Sequence, residues 1–173
     1  MDANSLLRDQ VRQAHLFLEG TLDDVTPEQA HWQPEGKANS LGSTYAHMVT
    51  GEDGFIHAFL KGGAPLFATS WAGKEGFSEP PPPDREWEQW GRRLQVDLPA
   101  LRRYAQAVYA ATDEYVASLT DADLTRPLDL SDVGLGQQTL AWVISNGITG
   151  HVMSHWGEIA CLKGLQGGRG FPV

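Results

Sequence analysis

Cysteine is nearly absent: Cys161 is the only one in 173 residues. No internal disulfide can form, and nothing in the cysteine usage implies an oxidising compartment. Basic residues are scarce, 13 Lys and Arg against 22 Asp and Glu, which leaves a net charge of -9 and a pI near 5.0. A nucleic-acid partner demands a basic face to meet phosphates; none is visible, so none is expected. Long apolar runs are missing too, since no stretch approaches the roughly 20 residues of a membrane span. The chain opens Met1-Asp2-Ala3-Asn4-Ser5, with neither a cationic start nor an apolar signal core. The expectation is a soluble, cytoplasmic protein acting on a small molecule, with no membrane partner.

The remaining composition, 41% hydrophobic and 20% charged, suits a globular protein with a sizeable core, and the length points to one domain over 1–173. Apolar spacing predicts four long helices. Leu6, Leu7, Val11, Ala14, Leu18 and Leu22 mark the first, with Asn4 or Ser5 available as its cap. Thr26-Pro27-Glu28 starts a short helical turn that His31-Trp32-Gln33-Pro34 ends, and 35–39 is loop. Ser40 caps the second helix, about 41–60. The third runs from about Asp97 to Leu119, with Pro99 in its first turn and Leu101, Tyr104, Val108, Ala111, Tyr115 and Leu119 as its stripe. The fourth covers roughly 139–165.

Between the second and third helices lies 61–84, rich in glycine and proline yet carrying Phe67, Trp71 and Phe77. Such aromatics predict a segment folded back over the bundle, not a free linker. Asp84 is placed to cap a short helix with Trp87 and Trp90, read as core or interface residues, and 124–133 holds a candidate extended pair. A connection this long lets helices two and three run parallel.

The fourth helix carries the densest chemistry, His151-Val152-Met153-Ser154-His155. Histidines four apart lie about 40° apart around the axis, one turn above the other, so both imidazoles can aim at one point. Glu158 falls on the same stripe, and Gly147, Ser154 and Leu162 share the face. Two histidines make half of a tetrahedral site, so at least one more ligand is required. His47 supplies it: its stripe on the second helix is Ser43, Thr44, Thr50, Gly51 and Gly54, all small. His57 lies about 80° away and is the weaker candidate, and His15 reads as structural. Three imidazoles would leave further coordination positions open, as catalytic sites require. Imidazole suits zinc, nickel, copper and iron alike. Cys161, about 80° round the helix from His151, reads as a small buried hydrophobe and not as a ligand or nucleophile.

Several further elements accompany these residues in order: Trp32-x-Pro34, Ser40-Leu41-Gly42, Tyr45-Ala46-His47-Met48, His151-x-x-x-His155-x-Gly157-Glu158-Ile159, Gly164-Leu165-Gln166-Gly167 and Gly170-Phe171-Pro172. Together they resemble the DinB/YfiT-like family of helical-bundle metalloproteins, over nearly the whole chain. The resemblance implies an all-α fold, an up-down-down-up four-helix bundle with a long crossover between helices 2 and 3, often as a homodimer. It implies a three-histidine site for one divalent transition metal, with zinc or nickel expected. Related proteins include S-transferases that use low-molecular-weight thiols, so a thiol cosubstrate is implied. Trp156 stands where relatives commonly carry a basic residue and Ser154 where a histidine is frequent.

Three readings compete. In the first, a metal-dependent S-transferase, the metal lowers the pKa of a thiol and Glu158 orients a ligand histidine or moves a proton as a catalytic residue. Trp156, removing a cation beside the site, would then favour an uncharged or weakly polar electrophile. The competing view of Trp156 is that it points about 100° away and packs between helices. In the second, water is the nucleophile and the protein is a hydrolase. The third is a non-catalytic, metal-stabilised binding protein.

Overall fold

Four long helices pack in a ring, and their side-chain pairings fix their directions. The computed structural model describes residues 2–83 and 86–172; Asp84, expected as a helix cap, lies outside them. Helix α1 (Ala3–Leu22) is capped by Asp2, whose carboxylate accepts from the Ser5 amide. The cap thus falls earlier than Asn4 or Ser5, and Asn4 instead donates to the Leu119 carbonyl. Helix α2 (Pro27–His31) opens with a full capping box between Thr26 and Gln29. Ser40 caps α3 (Leu41–Asp53), which continues as a π-helical segment over Gly54–Leu60. Then come α4 (Trp87–Arg93), α5 (Leu98–Ala117, capped by Asp97) and α6 (Asp121–Leu124). A hairpin of β1 (Pro127–Leu130) and β2 (Gly136–Thr139) precedes α7 (Leu140–Trp142). Helix α7 passes through a second π-helical segment, Val143–Gly150, into α8 (His151–Leu165). The expected extended pair therefore exists, but its second strand lies beyond Val133, because Ser131–Val133 forms the turn.

Arg8 and Arg12 meet Asp113 while Glu19 meets Arg102, so α1 and α5 run antiparallel. His15 meets Glu52 and Glu19 meets Tyr45, so α1 and α3 do as well. Leu7 and Val11 cluster with Leu140, Ile144 and Ile148, whereas Thr21 meets Trp156 and Lys163, so α7–α8 runs with α1. The order is up-down-down-up, with α3 and α5 parallel.

The core divides into two apolar clusters. One holds Leu18, Leu22, Leu41, Tyr45, Met48, Trp90, Leu101, Tyr104 and Ile159; the other holds Leu7, Val11, Ile56, Val116, Leu140, Ile144 and Ile148. Each long helix places polar residues between its contributions to the two: His15 on α1, Glu52 and Asp53 on α3, Thr112 on α5 and His151 on α8. Burial of these groups is tolerated because they pair. His15 Nε2 lies 3.0 Å from Glu52, which accepts from Thr112 Oγ1 at 2.6 Å, and the His15 ring stacks on Tyr109.

The 61–97 crossover is tied to the bundle by Asp53. Its carboxylate accepts from the amides of Leu66 and Phe67 at 2.9 and 3.0 Å and from the Tyr104 hydroxyl at 2.6 Å, and lies 2.7 Å from His57 Nδ1. Burial and the Asp53 charge push the Tyr104 pKa strongly upward, so the phenol keeps its proton and remains a donor. Phe67, Trp71 and Phe77 pack against the first cluster, as their spacing predicts. Gly76, at φ +83°, is required where the crossover returns, since a Cβ there would meet the Leu101 amide at 2.4 Å. Among the described residues no helix is long and apolar enough to cross a membrane.

Candidate metal centre

Helices α3 and α8 pack face to face, and three imidazoles meet between them. One ligand-capable nitrogen from each of His47, His151 and His155 lies within 4.8 Å of the others. The Nε2 atoms of His151 and His155 are 3.1 Å apart, and the His47 ring centroid is 5.4 and 5.0 Å from theirs. The α3 backbone reaches α8 because residue 51 is glycine: a Cβ there would stand 3.3 Å from His151 Cε1. Trp87 on α4 packs edge-on against His47, centroids 4.5 Å apart.

The donor set suits a divalent ion. Two Nε2 atoms at 3.1 Å match the separation of about 3.3 Å expected between nitrogens bound tetrahedrally at about 2.05 Å. Nδ1 of His47 is buried and has no hydrogen-bond partner among the described residues. Burial, with His155 beside it, pushes His47 down to about 4, and burial with His155 and His47 does the same for His151. Both rings are therefore neutral near pH 7, with lone pairs available. Glu158 Oε2 lies 2.7 Å from His155 Nδ1; a proton held there leaves Nε2 free to coordinate.

The other histidines are engaged elsewhere. His15 and His57 pair with Glu52 and Asp53, and His31 bridges the Pro27 carbonyl and the Val96 amide. Cys161 corrects the sequence expectation: it is exposed and lines a cavity of about 910 Å³ that also touches His47, His155, Glu158 and Trp87. The reason is geometric, since the cavity follows the stripe Ser154, Glu158, Cys161 and Leu165, which flanks His155. Trp156 turns away from the centre, stacking on Phe17 with centroids 5.1 Å apart and donating to Thr21 Oγ1 at 2.8 Å. Its identity therefore carries no information about substrate charge.

Sequence reasoning passed over Glu52 and Asp53. Their signal is present, for they are the only charged residues in the 41–60 stretch of helix. Trp87 reads from the sequence only as a core or interface residue, because its contact with His47 is set by the crossover.

The sequence profile of the DinB superfamily (DinB_2) matches residues 10–159. No curated protein matches the chain. Among solved structures, one described as "Crystal structure of the conserved protein of locus from Enterococcus faecalis" superposes with a TM-score of 0.78. It is 20% identical, over 94% of this chain and 96% of that one, which speaks for the fold alone. The profile spans most of the sequence, and the chain belongs to the DinB superfamily.

Proposed function

We propose that His47, His151 and His155 hold one divalent transition metal, zinc or nickel, and that the protein is a metal-dependent S-transferase using a low-molecular-weight thiol. The observation that carries the metal reading is the convergence of three imidazoles beside a cavity of about 910 Å³. The thiol rests on the family resemblance and on the placement of Cys161, which lines the cavity but is not in the histidine cluster. A bound divalent ion supplies positive charge that favours the deprotonated form of a thiol or water. The protein does the rest. Glu158 fixes the His155 tautomer, and its carboxylate, which lines the cavity, is placed to take a proton from an incoming nucleophile. Trp87 packs edge-on against the His47 ring, and both line the cavity.

A panel of electrophiles incubated with glutathione, bacillithiol or mycothiol tests the reading. Thiol consumption is expected from metal-loaded protein and not from metal-free protein. Its absence across the panel from loaded protein would favour the hydrolase, in which water takes the place of the thiol. The homodimer implied by the resemblance belongs to the same proposal and is checked by sedimentation.

Two substitutions probe the centre. Glu158→Ala is expected to weaken metal binding about 10- to 100-fold, the usual effect of losing the partner of a ligand histidine. Glu158→Gln, which keeps an acceptor, should recover most of that affinity yet remain inactive if the carboxylate moves a proton. Competition titration with a chromogenic chelator and the thiol assay separate the two roles. Gly51→Ala should have opposite effects on fold and site. Helix propensity favours alanine by about 1 kcal/mol, raising the melting temperature of the metal-free protein, while the new Cβ displaces His151 and lowers metal affinity.

A further inference from the structure

One wall of the cavity beside the histidines, the wall contributed by α8, passes from polar to apolar along its length. This wall is the stripe from Ser154 to Leu165, which at 1.5 Å per residue extends about 16 Å. Polar groups gather at the Ser154 end, with His155 and His47, whereas Leu162 and Leu165 lie at the other. Leu165 is 67% exposed, an apolar side chain left outside both core clusters. The facing wall is the segment before α3, where Glu35 and Lys37 contribute one charge of each sign. Neither a polyanion nor a polycation is selected by such a wall. The volume, about 910 Å³, falls in the upper part of the range of small-molecule sites, about 300–1,000 Å³.

We propose that this cavity binds an elongated, amphipathic organic molecule, its polar head at the histidine cluster and its apolar body along Leu162 and Leu165. The proposal rests on reading the histidines as metal ligands, since the head is the group that a bound metal would attract. Burial of the apolar body against the leucines drives affinity, and the head fixes its direction.

The test uses the zinc-loaded full chain and straight-chain alkyl hydroxamates from acetohydroxamate to octanohydroxamate, titrated by calorimetry with zinc retention verified. Affinity should rise about two- to fourfold per added methylene, as buried CH₂ groups require. Leu165→Asp, at an exposed position, should flatten that dependence while leaving acetohydroxamate binding unchanged. Octanohydroxamate should also slow labelling of Cys161 by a thiol reagent, and acetohydroxamate should not. Zinc-dependent binding with no gain from chain length, or a Leu165→Asp variant that behaves like the parent, overturns the cleft and leaves the metal reading standing. Acetohydroxamate binding that is indifferent to zinc counts against the metal reading instead. In that case zinc-free protein decides on the cleft: octan-1-ol should protect Cys161 where ethanol does not, and equal labelling with both overturns the proposal.

Discussion

Replacing His47, His151 or His155 singly by alanine is expected to bring the metal content of purified protein from near one equivalent to near none. Each residue contributes one of three nitrogens that converge within 4.8 Å, so its loss leaves two ligands and an incomplete site. The affinity loss should exceed the roughly 10- to 100-fold that follows from disturbing a ligand's hydrogen-bond partner. His31→Ala is the clean control, because that ring bridges Pro27 and Val96 and is not a member of the cluster. His15→Ala and His57→Ala should also retain metal, but at lower stability, since each strips a buried carboxylate of a partner. Elemental analysis after dialysis, read beside circular dichroism, makes the comparison. A His47→Ala protein that binds metal as the parent does would show that the site is assigned to the wrong residues.

Asp53→Ala should cause the largest loss of stability of any single substitution considered. It removes one buried carboxylate and leaves three donors, the Tyr104 hydroxyl and the Leu66 and Phe67 amides, to find other acceptors, while His57 loses the carboxylate 2.7 Å from its Nδ1. Each donor left buried without an acceptor costs about 1–3 kcal/mol, so three of them together are expected to cost about 5 kcal/mol. For a chain of this size that corresponds to a fall in melting temperature of about 10 °C or more. The loss should be local as well as global. With both amides released, the 61–83 segment should become the preferred site of limited proteolysis while the bundle core resists. Asp53→Asn, which keeps one acceptor oxygen, should recover part of the loss. A segment that stays as protease-resistant as in the parent would mean that Phe67, Trp71 and Phe77 hold it alone.

Much of the fold was legible because local chemistry and global packing agree. Ser40, Asp97, Thr26 and Pro27 announce helix starts on their own, and the apolar stripes are long enough to be unambiguous. The histidines could be grouped because spacing of four on one helix and a small-residue face on another are both sequence patterns. What stayed hidden depends on partners distant in the chain. Trp156 and Cys161 lie about 140° apart around one helix, and only the position of α1 and of the 34–39 segment decides which is covered and which lines a cavity. The polar layer of His15, Glu52 and Thr112 was hidden for the same reason: each member looks like an isolated misfit until three helices bring them to one level.

The two π-helical segments have a consequence for how the centre is aimed. They lie against each other, with Phe55 of the first beside Gly147 of the second. The second segment separates the anchoring residue Leu140 from His151 and His155. A π-turn inserts a residue into the helical count, which advances everything downstream by about 100° around the axis. Angular setting and side-chain chemistry are therefore written separately in this helix: composition says what the histidines are, and chain length says where they look. Loss of one residue between 143 and 150 would swing both imidazoles together off the cluster with every side chain in the site still present, an outcome that no point substitution can imitate.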